Sequence, residues 1–214
     1  MQRKFGWTPK FDERSKGYSI SAILPTRKRR SYTWRCLQWL DQGATSGCTG
    51  FAVSHEMIAR PAEVKGITNQ TAQNLYEQAQ VLDQWPGEDY EGSSVLGAMK
   101  AAVIQGYYVE YRWAFNENDI AASVGYFGPV VMGTNWYSDM MSPDTNGIIR
   151  PMGPLVGGHA YLICGYSKKT GLYRIRNSWG KSWGIDGDCF IEAEDVAYLM
   201  SQDAEACIPV VRCE

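Results

Sequence analysis

Apolar and polar positions follow a helical period through the first half of the chain. From Cys48 onward the segment FAVSHEMIA has apolar side chains at helical spacing, and Pro61 ends it. Residues 68–84 predict a second amphipathic helix with a threonine cap, and residues 93–105 predict a third that ends at Gly106. The first half is therefore predicted to be mainly helical.

The second half has a different pattern, in which short runs of Val, Ile and aromatic residues are separated by glycines. Such runs are typical of strands, and here they are GPVVMGTNW, HAYLICGYS, GLYRIRNSW and DGDCFIEA. Helices followed by strands favour an α+β protein with segregated halves. A cleft between such halves is a common location for a functional site.

Composition narrows the class of protein. The 214 residues are 44% apolar and 21% charged, which suits one globular domain with its own core. The net charge of −2 argues against a general nucleic-acid binder, which needs a basic surface. No stretch approaches the roughly 20 apolar residues of a membrane span. We therefore expect neither a nucleic acid nor a membrane among its partners.

The ends and the cysteines bear on location. No apolar run follows the basic start, so we expect synthesis without a signal peptide and a cytoplasmic protein. Cys36, Cys164 and Cys189 have apolar neighbours and are interpreted as free thiols, whereas Cys207 and Cys213 are the one plausible disulfide pair. With two histidines and no CxxC motif, neither a metal nor a cofactor is expected.

Cys48 is the first candidate for chemistry, because it follows a glycine-containing loop and begins a predicted helix. The free N–H groups and positive dipole end of a helix favour a thiolate, although many cysteines in such positions are simply buried. His55 is about 10 Å further along the same helix and is interpreted as a core histidine. His159, after two glycines, remains as a partner.

Two amides complete the candidate set. Asn177, in RNSWGKSWG, offers an oxygen that can accept an imidazole N–H and fix the ring. Trp179 and Trp183 are positioned to cover that hydrogen bond or to be plain core aromatics. Gln42 precedes Cys48 by six residues and has a side-chain donor suited to an oxyanion hole.

Taken together, the order Gln42, Cys48, His159, Asn177 closely resembles the papain-like cysteine peptidases. The matching motifs are DQGATSGCTGFA, GGHAYLICGY and RNSWGKSWGIDGDCFI. The resemblance implies an α+β fold with a helical left half, an antiparallel β-barrel-like right half and the active-site cleft between them. It implies one domain over 1–214: an N-terminal arm to about 35, helices over about 36–110 and strands over about 111–214.

The resemblance also implies a role for each candidate. Cys48 would be the nucleophile and His159 the acid and base, meeting as a thiolate–imidazolium pair. Asn177 would orient the imidazole, and Gln42 with the Cys48 backbone N–H would form the oxyanion hole. The implied reaction is peptide hydrolysis through a thioester, with a peptide or protein as substrate.

Further positions are assigned to substrate binding on the same grounds. Gly92 and Ser93 fall where the family hydrogen-bonds the substrate backbone. Gly133 and Gly158 would border the pocket for the second residue before the scissile bond, and Trp179 is grouped with them.

One departure from the family and two alternatives remain open. The long inhibitory prodomain is not seen, so unless the chain was cut we expect control by location or by a proteinaceous inhibitor or regulator.

Fold does not fix function, so a catalytically idle scaffold on the same fold is one alternative. An enzyme that transfers the acyl group to an amine is the other.

Overall fold

The structure is a computed structural model that describes residues 3–24, 28–83 and 91–212. Within these ranges it has five α-helices, which are α1 Cys48–Ile58, α2 Asn69–Leu82, α3 Val95–Ile104, α4 Glu117–Tyr126 and α5 Ala193–Met200. It has seven strands, which are β1 Tyr32–Thr33, β2 Tyr108–Trp113, β3 Val130–Tyr137, β4 Leu155–Ser167, β5 Leu172–Arg176, β6 Asp188–Glu192 and β7 Glu205–Arg212.

The seven strands form one antiparallel sheet. Its order is β2-β7-β3-β4-β5-β6, and β1 pairs separately with β4. The α+β class is therefore confirmed. The sequence pattern predicted α1–α3 and β3–β6, but it missed α4, α5 and the strands that complete the sheet.

Helix starts follow from capping side chains. The Thr68 hydroxyl accepts the Thr71 N–H, and the Thr71 hydroxyl accepts the Thr68 N–H. These two hydrogen bonds form a capping box at the start of α2. The Ser94 hydroxyl accepts the Gly97 N–H at 2.8 Å and begins α3. Asn116 caps α4 in the same way, a signal in the sequence that could have revealed this helix.

Two buried cores lie on either side of β4. The first core gathers apolar side chains of α1, α2 and α3, and the second gathers those of the sheet with α4 and α5. Because alternate residues of a strand face opposite sides, Ala160 and Leu162 enter the first core while Tyr161 and Ile163 enter the second. One strand thus fixes the two cores relative to each other.

The N-terminal arm crosses from one core to the other. Its 3-10 helix Glu13–Tyr18 precedes Ser19, which pairs with Trp113 of β2. The Ile20 side chain is fully buried in the second core. Within the described ranges, no helix has both the length and the apolar run needed to cross a membrane.

The cysteines are reduced wherever the structure describes them. Cys36, Cys164, Cys189 and Cys207 are free thiols, and all but Cys36 are buried. Cys213, the predicted partner of Cys207, lies outside the described residues.

Candidate active site

Cys48 is the first residue of α1 and is fully buried. Its helix is held close to α2 because Gly50 lacks a side chain. A Cβ at Gly50 would lie 2.2 Å from the Ala72 carbonyl oxygen and 2.7 Å from the Tyr76 nitrogen. Gly50 therefore allows the backbones of α1 and α2 to approach closely, and this contact fixes the position of the Cys48 thiol.

His159 of β4 and Asn177, one residue past β5, form the predicted hydrogen bond. The imidazole Nε2 and the amide Oδ1 are 2.8 Å apart, and the Ser178 N–H also donates to Oδ1 at 2.7 Å. Since Oδ1 is the acceptor, the neutral imidazole carries its proton on Nε2. Its Nδ1 is buried and has no hydrogen-bond partner in the part of the chain that the structure describes. The lone pair of this nitrogen can therefore accept a proton.

The thiol of Cys48 lies against the strand that carries His159. The backbone N–H groups of Ala160, the residue after His159, and of Gly6 in the N-terminal arm oppose the effect of burial on the thiol and favour its ionised form. The structure thereby places the thiol beside the residue that follows His159, whereas no hydrogen bond among the described residues joins the sulfur to the imidazole.

Burial favours the neutral form of both groups in this state. It raises the pKa of the Cys48 thiol to about 12, against the opposing effect of the backbone N–H groups of Ala160 and Gly6. Burial also lowers the pKa of His159 to about 4, against the opposing effect of the Asn177 hydrogen bond. The charged pair implied by the resemblance is therefore not favoured while the site is covered.

Aromatic rings surround the imidazole. The His159 ring centroid lies 4.8 Å from that of Trp136, 4.9 Å from that of Trp179 and 6.1 Å from that of Phe5. Trp183 packs edge-on against Trp179 at 5.2 Å, as a cover over that ring. Neither Trp136 nor Phe5 was predicted as part of the site.

Gln42 links the loop before Cys48 to the loop after β5. Its Nε2 donates to the carbonyl oxygens of Thr45 at 2.7 Å and Lys4 at 3.2 Å. Its Oε1 accepts the Ser178 hydroxyl at 2.7 Å, and its backbone N–H donates to the Ser178 carbonyl at 2.9 Å. The amide donor is thus already bound to a peptide carbonyl, that of Lys4.

Residues 4–8, here called the cleft segment, fill the groove between β4 and the start of α3. The Gly6 and Trp7 N–H groups donate to the Gly158 carbonyl at 3.1 and 2.9 Å. On the opposite wall, the Ser93 N–H donates to the Gly6 carbonyl at 2.7 Å and the Ser93 carbonyl accepts the Thr8 N–H at 3.0 Å. Trp7 and Ser93 form a single parallel bridge, so backbone groups on both walls of the groove hold the segment.

The Trp7 side chain occupies a pocket beside Gly133 and Gly158. A Cβ at Gly133 would lie 2.1 Å from the indole Nε1, and one at Gly158 would lie 2.1 Å from the Trp7 carbonyl oxygen. At the end of the pocket, the indole N–H donates to Glu205 at 2.8 Å. The two glycines therefore make the space that the indole fills.

Glu205 is a functional candidate that the sequence motifs did not reveal. Its carboxylate also accepts the N–H groups of Val95 at 2.9 Å and Leu96 at 3.1 Å, at the start of α3. Burial raises its pKa to about 7, against the opposing effect of the Trp7 hydrogen bond. An acidic group thus closes the pocket.

The remaining predicted residues are placed as follows. Gly92 has a φ of +121°, and a Cβ there would lie 2.6 Å from the Gly6 carbonyl oxygen, so it too touches the cleft segment. His55 lies elsewhere, where its Nε2 accepts the Leu40 N–H at 3.1 Å. Across the described residues, no three His, Cys, Asp or Glu side chains gather as a metal site requires.

Comparison with known proteins gives consistent matches. The family described as papain family cysteine protease matches residues 35–207. A cathepsin B-like cysteine proteinase of Schistosoma japonicum is 35% identical over 102 residues, covering 42% of this chain and 30% of the relative. An uncharacterized peptidase C1-like protein of Acanthamoeba polyphaga mimivirus is 23% identical over 200 residues, covering 72% and 63%. The chain thus spans less than two thirds of either curated relative.

Solved structures match the fold. Xylellain, a cysteine protease from Xylella fastidiosa, has a TM-score of 0.76 at 19% identity, covering 99% of this chain and 98% of the other. The bromelain protease from Ananas comosus, in complex with the E64 inhibitor, has a TM-score of 0.60 at 17% identity, covering 85% and 99%. The predicted papain-like fold is therefore confirmed.

Proposed function

The chain belongs to the papain family of cysteine proteases, and we propose that it hydrolyses peptide bonds through Cys48 and His159. One observation carries the proposal: among the described residues, Nδ1 of the imidazole that Asn177 fixes through Nε2 has no hydrogen-bond partner, and the next residue of the same strand, Ala160, lies beside the thiol. A nucleophile beside an oriented base is the arrangement that acyl transfer requires.

The proposed reaction begins when the proton of the Cys48 thiol moves to Nδ1 of His159. The sulfur attacks the substrate carbonyl, and the carbon–oxygen π electrons move to the oxygen, which the Gln42 Nε2 and the Cys48 backbone N–H stabilise. Nδ1–H then protonates the leaving nitrogen as the carbon–nitrogen bond breaks, leaving a thioester. His159 next takes a proton from water, whose oxygen displaces the thiolate.

The cleft segment supports this reading of the groove. Gln42 Nε2 reaches the carbonyl of Lys4, as an oxyanion donor must reach a substrate carbonyl. Gly158 and Ser93 already hold a peptide backbone, and a pocket takes the Trp7 side chain. We propose that a substrate uses these same groups, with Gly92, Gly133 and Trp179 lining the groove.

We also propose that the cleft segment keeps the enzyme inactive until it leaves. It covers the Cys48 sulfur, binds the proposed oxyanion donor and fills the pocket, so substrate and segment exclude each other. Its departure admits water, which lowers the thiol pKa and raises the imidazole pKa towards the charged pair. Under this proposal control is built into the chain, whereas the sequence led us to expect control by location or by a proteinaceous inhibitor or regulator.

The arm beyond the segment is part of the fold. Ile20 is fully buried in the second core, Ser19 pairs with Trp113, and β1 pairs with β4. Removing the whole arm would strip these contacts, so we expect the segment to be displaced or trimmed near residue 10 while the rest stays.

The test is cleavage of a peptide library by the full chain and by a variant that starts at residue 10. Mass spectrometry should find cleaved peptides in both, more with the shortened chain, and none when Cys48→Ala is added. If neither chain cleaves any peptide and Cys48 resists iodoacetamide at neutral pH, the protein is a scaffold. The covered, neutral thiol is the observation that favours this second candidate. Products joined to an added amine would indicate acyl transfer.

A further inference from the structure

Ser178 touches both amides of the proposed active site. Its N–H donates to Oδ1 of Asn177, and its hydroxyl donates to Oε1 of Gln42 at 2.7 Å. All three residues are buried, with 1% to 2% of their surface exposed. One residue therefore joins the group that orients the imidazole to the group that would stabilise the oxyanion.

The contacts around Gln42 fix which end of its amide faces the groove. Nε2 lies against the carbonyl oxygens of Thr45 and Lys4, which accept hydrogen bonds and cannot donate them. Turning the amide over would set its oxygen against two other oxygens. The Ser178 hydroxyl, which donates to Oε1, holds the productive orientation from the opposite side.

We propose that Ser178 is a positioning residue that keeps the Gln42 amide aimed at the oxyanion. The proposal rests on the proposed peptidase function and adds a residue to it. Without the hydroxyl, Oε1 of Gln42 loses its buried donor, and once the cleft segment has left, the Thr45 carbonyl alone holds the amide through Nε2. The cost then falls on the step that develops negative charge on the substrate oxygen.

Two reactions of the same thiol separate this role from general damage. Peptide hydrolysis passes through an oxyanion. Alkylation by iodoacetamide does not: the sulfur–carbon bond forms as carbon–iodine breaks, iodide leaves, and the thiol proton goes to His159 or water. Both reactions need the cleft segment to leave, so the ratio of their rates isolates the oxyanion step.

The experiment measures kcat, KM and the alkylation rate of Cys48 in the full chain. Ser178→Ala should lower kcat for a peptide by about threefold to tenfold, the range of one hydrogen bond, with KM and alkylation unchanged. Adding Ser178→Ala to Gln42→Ala should cause no further loss, because the residue acts through that amide. Ser123→Ala is the matched control, since that buried hydroxyl bonds the Asp119 carbonyl within α4, and it should change neither rate.

Three outcomes would overturn the proposal. Hydrolysis at the wild-type rate in Ser178→Ala would show that the hydroxyl is dispensable. An equal fall in hydrolysis and alkylation would show general damage to the site. A full further loss in the Gln42→Ala background would place the effect on another group, such as Asn177. If neither the full chain nor the chain that starts at residue 10 hydrolyses peptides or reacts with iodoacetamide, the peptidase function itself is refuted.

Discussion

Replacing Trp7 by alanine should open the groove, since this side chain is the main anchor of the cleft segment. The residue is 5% exposed, and its indole N–H donates to Glu205 at 2.8 Å. Truncating a buried tryptophan typically costs about 3–5 kcal/mol. We take about 3 kcal/mol as the loss in docking, because the backbone hydrogen bonds to Gly158 and Ser93 remain.

That loss corresponds to a change of roughly a hundredfold in the docking equilibrium, at about 1.4 kcal/mol per factor of ten. The thiol reacts only when the segment has left, so iodoacetamide should alkylate Cys48 about a hundred times faster in Trp7→Ala at neutral pH. The assay is intact-protein mass spectrometry over time, with the alkylated peptide identified after digestion.

A matched substitution lies four residues further along the arm. Phe11 is 60% exposed, so Phe11→Ala should leave the alkylation rate of Cys48 unchanged. A chain that starts at residue 10 should react at least as fast as Trp7→Ala. If neither Trp7→Ala nor the shortened chain alkylates faster than wild type, the segment does not control access to the thiol.

Three further predictions concern catalysis and stability. Gln42→Ala should lower kcat by about 10²–10³ with alkylation of Cys48 preserved, the scale of losing one oxyanion donor; unchanged turnover would remove Gln42 from the mechanism. Gly50→Ala should lower the free energy of unfolding in urea by about 1–3 kcal/mol, because a Cβ 2.2 Å from the Ala72 carbonyl oxygen forces two helices apart. Gly17→Ala is the control and should not change it, since a Cβ at Gly17 would meet nothing within 4 Å. Burial lowers the pKa of His55 to about 3. The unfolded chain therefore takes up a proton at this histidine as the pH falls below 6.5, while the folded chain does not. His55 alone should thus lower the free energy of unfolding by about 2 kcal/mol at pH 5 relative to pH 7. His55→Gln should lose less between those pH values, and an identical loss would contradict the assignment.

Local patterns accounted for much of the site. The caps, periods and motifs placed Cys48 at the start of a helix and His159 on a strand, and they singled out Asn177 and Gln42 by chemistry and order. These are properties of residues and their near neighbours in the chain. The helices α4 and α5 were missed because the second half was interpreted through its β-branched and aromatic runs alone, although Asn116 offered a cap signal.

What the sequence did not predict depends on long-range register. Nothing in residues 4–8 indicates that they pair with Ser93 and Gly158, since both contacts lie far along the chain and are made by backbone groups that every residue has. Glu205 is an isolated acidic residue in the sequence, and only the fold sets it at the end of the Trp7 pocket. The same is true of Trp136, whose ring meets the imidazole across β3 and β4.

The covalent attachment of the cleft segment to an arm anchored at Ile20 has a consequence for substrate choice. A ligand on a short tether experiences an effective concentration of the order of millimolar, however dilute the protein is. Every incoming peptide competes against that fixed level, so its apparent affinity falls by the same factor for all sequences. At a given concentration, weakly binding peptides then fail to displace the cleft segment, whereas tightly binding peptides still occupy the groove. The tether thus sets a minimum affinity for substrates, and diluting the protein does not change it.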